Sequence, residues 1–307
     1  MRPAAFPRPG AKTPPSATTT RRHDRDDNCR PDCAEERRAG ALALAFGGAP
    51  LGVLMIARRM SLMGDALSHG ILPGAAIAYL MVGPDPFALT IGALIAGLIV
   101  AALSSLFARS GRLPEDASFA MFYLSALALG VLILGRRHDP EALEGLLFGA
   151  ATALDWRWLV MAALAATATL IALALFIRGF VAEGADPGFL RALGVRADLI
   201  HMLLMMLVAV NLVAGFRAFG ALMTVGLMMI PAGAARFWAR TYVGQAGAAI
   251  LLSALASGAG LVIAQALRVE PGAVMTLSAA ALFLVSAAFG TRGGLLQTLP
   301  GRPHLQG

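Results

Sequence analysis

An aspartate and a histidine four positions apart, Asp65 and His69, open a long apolar run, with Ser68 between them. On a helix all three project from one face. An ionisable side chain inside a membrane-depth run is costly, so it usually faces a cavity or a partner. A carboxylate and an imidazole one turn apart can both ligate one divalent transition metal. Two ligands from one chain make an incomplete site, which suits a pathway, because the ion must leave as well as enter. A hydrogen-bonded, purely structural Asp–His pair has the same spacing, and spacing alone leaves both readings open.

The elements that must position this pair are hydrophobic. The chain has 307 residues, of which 58% are hydrophobic and 14% charged. A water-facing surface needs more charge than that. From Ala39 onward, long apolar runs alternate with short polar breaks. A run of about 17–25 residues can cross the hydrocarbon core as a helix. Spans are expected at 40–57, 66–82, 86–108, 117–135, 157–178, 198–215, 219–236, 244–267 and 273–290. Pro73 and Gly74 interrupt the second run, and if it re-enters rather than crosses, eight spans remain. The expected fold is an all-α polytopic membrane helix bundle of eight or nine helices, in contact with lipid. Residues 39–292 form the membrane domain, preceded by a disordered polar extension, 1–38, and followed by a cytoplasmic tail, 293–307.

The extension holds nine of the 25 Lys+Arg and six of the 18 Asp+Glu residues, with almost no bulky apolar side chain. It lacks the apolar stretch of a signal peptide. Its His23, Asp24, Cys29 and Cys33 could form a metal-binding tail, but a non-binding leader fits the composition better. Cys29 and Cys33 are the only cysteines, so no disulfide framework or four-cysteine zinc site exists. No basic stripe with stacking aromatics appears, which excludes a nucleic-acid groove. With the 179–197 loop taken as cytoplasmic and nine spans alternating, eleven arginines of the body fall inside and five outside, as the positive-inside rule requires. That alternation puts the arginine-rich extension outside, against the same rule; an even number of spans would remove the conflict.

The string Arg58-Arg59-Met60-Ser61-Leu62-Met63-Gly64-Asp65-Ala66-Leu67-Ser68-His69 resembles the signature of the zinc/manganese/iron ABC-transporter permeases, the ABC-3 family. Asp186-Pro187-Gly188-Phe189-Leu190-Arg191-Ala192-Leu193-Gly194 is similar to that family's ATPase-docking loop. Phe219-Gly220-Ala221-Leu222-Met223 through Ile230-Pro231-Ala232 resembles its late Gly-to-Pro helix, and Glu115 to Phe119 and Leu147-Phe148-Gly149 fall in family-like places. The resemblance implies a type II ABC importer-like permease that forms a homodimer. It also implies two cytoplasmic ATPase subunits, an extracytoplasmic metal-binding protein, no permanently bound cofactor, and an ion path containing Asp65 and His69. Zinc is the first expectation for the transported ion, with manganese or iron possible. Two departures stand out: Pro271-Gly272 replaces the Ser-Gly step usual before the last span, and 244–290 contains no histidine.

The docking loop also makes physical sense by itself. Asp186 suits an N-cap and Pro187 a first helical turn. Gly194 suits the C-terminal end, and the short helix, with Phe189 and Leu190 as apolar contacts, makes a peg for a partner's cleft; the resemblance adds Arg191 to this coupling loop. A helix lying on the membrane surface reads the same way. ATP must bind elsewhere, because a P-loop needs Gly-x-x-x-x-Gly-Lys-Ser/Thr and the single lysine, Lys12, follows Ala11. The chain is therefore expected to be a transport subunit, with hydrolysis on a partner.

Other polar residues read as structural first: His201 as a helix-end histidine, His138 as an outer-loop residue, His304 as inert, and Asn211 and Arg217 as cross-helix bonds. Met202, Met205, Met206, Met223, Met228 and Met229 read as core fillers, and Ser253 with Ser257 as a helix-packing face. The alternative function is a secondary metal transporter driven by an ion gradient, with Asp65 as proton carrier. Inverted repeats would favour that alternative, and none are visible.

Overall fold

The computed structural model describes residues 31–83, 85–108, 115–135, 156–269 and 271–292. Lys12, His23, Asp24, Cys29, His138, Leu147-Phe148-Gly149, His304 and the tail from 293 lie outside them, as do the side chains of Cys33, Glu115, Asp116 and Arg217.

Ten helices are described: α1 Pro31–Ala57, α2 Met63–Gly70, α3 Leu72–Val82, α4 Pro86–Ala108, α5 Glu115–Gly135, α6 Trp156–Ala185, α7 Pro187–Ala192, α8 Ala197–Ala235, α9 Tyr242–Leu267 and α10 Pro271–Phe289. Among the described residues, seven helical runs are long and apolar enough to cross a membrane. Two shorter apolar helices, Ala117–Ile133 and Phe219–Ala235, lie where two further spans are expected. The second expected span is real but bent: α2 and α3 break at Ile71, ahead of Pro73, and together form the run Met63–Val82.

Two expected boundaries move. Helix α1 already begins at Pro31, so residues 31–38 are helical rather than disordered. Helix α6 continues past Arg178 to Ala185. The expected span ends at Arg178, but a long arginine side chain reaches the interface without breaking the helix. The connection before α7 is therefore only Asp186.

Helix α8 is really two helices. Gly220 has φ 77° and ψ 170°, a conformation close to glycine-only. The chain reverses there. Gly215 touches the Thr224 side chain, whereas nine residues of straight helix would hold them about 13 Å apart. Both arms lie along α1 in opposite senses. Gly47 meets Asn211 while Leu44 meets Gly215 on the first arm; Gly48 and Gly52 meet Met228 on the second. Helix α1 is the centre of the bundle, with Ala45, Ala49, Leu51 and Met55 buried. Its glycines let the neighbouring backbones close in without a hydrophobic driving force.

The ends of the bundle differ in charge. Arg58, Glu183 and His201 meet at one end, where the Arg292 amide also donates to Phe237 O at 3.0 Å. Arg191, Arg196, Arg236 and Arg240 lie in the connections at that end. Trp158, Phe219 and Gly40 pack together at the other end, where α9 finishes beside Arg268. The positive-inside rule assigns the arginine-rich end to the cytoplasm. Helix α1 starts at the opposite end, as a nine-span alternation requires.

Candidate functional site

Helix α2 is buried on most of its surface. Met63, Gly64, Ala66, Leu67, Ser68 and Gly70 all face the bundle. Leu62, Asp65 and His69 form the remaining stripe: Leu62 is 82% exposed, the Asp65 side chain 66% and the His69 side chain 33%. Their spacing of three and four residues is that of one helix face. Ser68 does not join this face. It is fully buried and its hydroxyl donates to Asp65 O at 2.6 Å, so it satisfies its own helix instead of reaching a ligand.

The stripe sits deep. Gly64 packs on Val225 and Met229, at the centre of the second arm of α8, level with Gly48 and Gly52 of α1. Asp65 is thus an exposed carboxylate at membrane depth, where facing lipid would cost about 3 kcal/mol.

His69 Nε2 lies 4.0 Å from Asp65 Oδ1, too far for a hydrogen bond. The two groups are not a closed structural pair. His69 Nδ1 is buried and has no hydrogen-bond partner among the described residues. No cluster of three or more His, Cys, Asp or Glu exists among the described residues.

At the arginine-rich end, Asp186 caps α7, accepting from the Phe189 amide at 3.0 Å. Gly194 ends the turn with φ 75°, in the left-handed region. Phe189 is 58% exposed, but Leu190 is buried at 7% and is not part of the outward peg. Leu193, at 61%, takes its place. Arg191 Nη2 donates to Asp198 Oδ1 at 3.1 Å, tying α7 to the first turn of α8.

Sequence reasoning missed the ion-pair cluster beside it. Arg58 pairs directly with Glu183, and Arg58 Nη2 donates to Phe180 O at 2.8 Å. His201 Nδ1 lies 3.5 Å from both Arg58 Nη1 and Glu183 Oε1. Arg58 is more than a hundred residues from each of these partners in sequence; only the membrane-end position of each hinted at a meeting. Among the other described polar residues, Asn211 and Ser253 bond within the bundle. Asn211 Nδ2 donates to Thr169 Oγ1 at 2.6 Å and to Leu207 O at 2.9 Å. Ser253 donates to Leu227 O at 3.2 Å. Met205, Met223 and Met228 are buried core residues.

The geometry describes a membrane helix bundle with a carboxylate and an imidazole on one exposed helix face, and comparison with known families identifies the bundle. The family described as "ABC 3 transport family" matches residues 36–290. The chain belongs to this family. It is a multi-pass cell-membrane permease subunit of an ABC metal importer, a transport subunit and not an enzyme. Membership also implies an ATPase and a substrate-binding partner on other chains. The chain is similar to the manganese import system permease protein ScaB of Streptococcus parasanguinis, with 30% identity over 80% of this chain and 86% of that one. It is similar to the zinc transport system membrane protein TroC of Treponema pallidum, with 30% identity over 85% of this chain and 90% of that one. Among solved structures it is similar to PsaBC from Streptococcus pneumoniae in complex with Fab, with a TM-score of 0.74 and 27% identity over 86% of this chain and 94% of that one. Family membership sets aside the gradient-driven alternative.

Proposed function

We propose that this ABC 3 permease imports a divalent transition metal through a passage between two copies of the chain, with Asp65 and His69 from each copy as transient ligands. The observation that carries this reading is the exposed Asp65–His69 face at mid-depth, with its two donors 4.0 Å apart and not bonded to each other. A second copy supplies two more such ligands, and weak, multi-site binding lets the ion pass on.

We place manganese ahead of zinc, reversing the order expected from the sequence. A carboxylate and an imidazole without a thiolate suit manganese as well as zinc, and the manganese importer subunit ScaB is among the relatives. The capped α7 segment, with Asp186, Pro187, Phe189, Arg191 and Gly194, is the docking element for the cytoplasmic ATPase, and an extracytoplasmic metal-binding protein delivers the ion. ATP-driven closure of the ATPase pair pulls on α7 and opens the passage inward.

The test is uptake of manganese, zinc and iron, compared side by side, by cells lacking their own importers and expressing this chain with its ATPase and binding protein. Accumulation of one of these ions that needs an intact Walker A lysine on the ATPase supports the reading. Accumulation of none, or uptake indifferent to the ATPase, contradicts it.

A further inference from the structure

Arg58, Glu183 and His201 form a buried charged cluster at the cytoplasmic end, with side-chain exposures of 5%, 11% and 12%. Burying a charged pair is a poor way to gain stability, because the desolvation cost offsets the attraction. What such a pair does well is hold two elements in one fixed relation, and here it joins three helices at their ends.

On one side the cluster leads to α7. Glu183 stands in the last turn of α6, just ahead of Asp186, which caps α7. His201 stands in the opening turns of α8, beside Asp198, which Arg191 of α7 holds. On the other side it leads to the ion-path face. Arg58 follows the last residue of α1, and several backbone hydrogen bonds tie the turn from there to α2. The Arg59 amide donates to Ile56 O at 3.1 Å, Met60 to Met55 O at 3.0 Å, Met63 to Met60 O at 3.1 Å and Ala66 to Leu62 O at 3.0 Å. Arg59 is held at φ 61°, a left-handed value rare outside glycine. A segment so tied has little slack between Arg58 and Asp65. Gly184 makes room for the guanidinium, since a Cβ there would lie 3.1 Å from Arg58 Nε. A cleft of about 360 Å³, lined by Arg58, Phe180, Gly184, Arg236 and Tyr242, gives the end of α6 space to shift.

We infer that Arg58 and Glu183, steadied by His201, form a strut that carries displacement of α7 to the helix bearing Asp65 and His69. They are positioning residues for translocation and do not touch the ion. The inference rests on the proposed roles of α7 and of the Asp65–His69 face.

The test uses the whole importer, reconstituted with its ATPase and binding protein, and compares the parent chain with Glu183→Gln and Arg58→Lys. Two quantities are read: manganese moved per ATP hydrolysed, and the separation of spin labels on Ser61→Cys and Ala192→Cys of one copy, both exposed positions, with and without trapped ATP. The native cysteines are replaced by serine. For Glu183→Gln the strut predicts ATP hydrolysis within about twofold of the parent and metal per ATP lower by about tenfold, inside the usual range of coupling between sites. It also predicts a label separation that changes on ATP trapping in the variant and stays constant in the parent. Arg58→Lys, which keeps the charge, falls between the two. If Glu183→Gln assembles poorly, the ratio in Arg58→Lys decides. A purely structural contact leaves metal per ATP and the label behaviour at parent values in whatever complex assembles, and that result overturns the strut. A parent complex that moves no metal on ATP overturns the proposed function, and this inference with it.

Discussion

His69 Nε2 and Asp65 Oδ1 face the same side of α2 but stand 4.0 Å apart, unbonded, on the most exposed stripe of an otherwise buried helix. A carboxylate left open at this depth is a standing cost unless water, an ion or a second copy of the chain meets it. The rest of the bundle secures that arrangement, and the following outcomes test how.

Gly220 makes the reversal between the two arms of α8. With φ 77° and ψ 170°, a side chain there is strained by about 1–3 kcal/mol. Gly220→Ala should lower the thermal midpoint of the detergent-solubilised protein, whereas Gly258→Ala, at a position with open space around it, should not. A scanning-fluorescence melt checks both.

Gly74 and Gly92 bring α3 and α4 into backbone contact, each carbonyl lying where the other's Cβ would be. Overpacking of this kind costs about 1–3 kcal/mol. Gly92→Val should reduce the amount of folded protein in membranes and displace α3, measured as monodisperse yield on size-exclusion chromatography. A yield equal to the parent would show that the helices can separate at no cost.

Asp186 supplies the cap of the short α7 helix through its bond to the Phe189 amide. Asp186→Ala should cost about 1 kcal/mol of local helix stability and weaken co-purification of the ATPase. Asp186→Asn should retain most of it. Equal retention of the ATPase by all three chains would remove α7 from the docking account.

Asn211 bonds Thr169 and Leu207 in the interior, away from the α2 face. Asn211→Leu should lower thermal stability by about 1 kcal/mol while the metal preference of uptake stays the same. A changed preference among manganese, zinc and iron would place Asn211 on the ion path.

Much of this architecture was legible in the chain because the bilayer enforces a simple code: apolar runs of sufficient length became helices, and more of the described arginines of the bundle lie at one end than at the other. The Asp65–His69 face was legible for the same reason, since helical spacing alone aligns residues four apart. Ser68 departs from the face expected of it because it lies about 100° round the helix from His69, on the side that packs into the bundle. Leu190 was misjudged because exposure in a short helix depends on what lies beneath it. The end of α6 was misplaced because Arg178 can reach the interface without ending a helix. The Arg58–Glu183–His201 cluster was invisible: its members belong to three separate helices, and nothing local in a single sequence pairs them.

The central claim is that the cation passes Asp65 and His69. The most direct test is ATP-dependent uptake of radioactive manganese by Asp65→Ala and His69→Ala permeases, scaled to the amount assembled with the ATPase. The account predicts a loss of about tenfold or more in each, the scale on which lost ligand contacts weaken metal sites. Uptake at the parent rate in correctly assembled variants would contradict it.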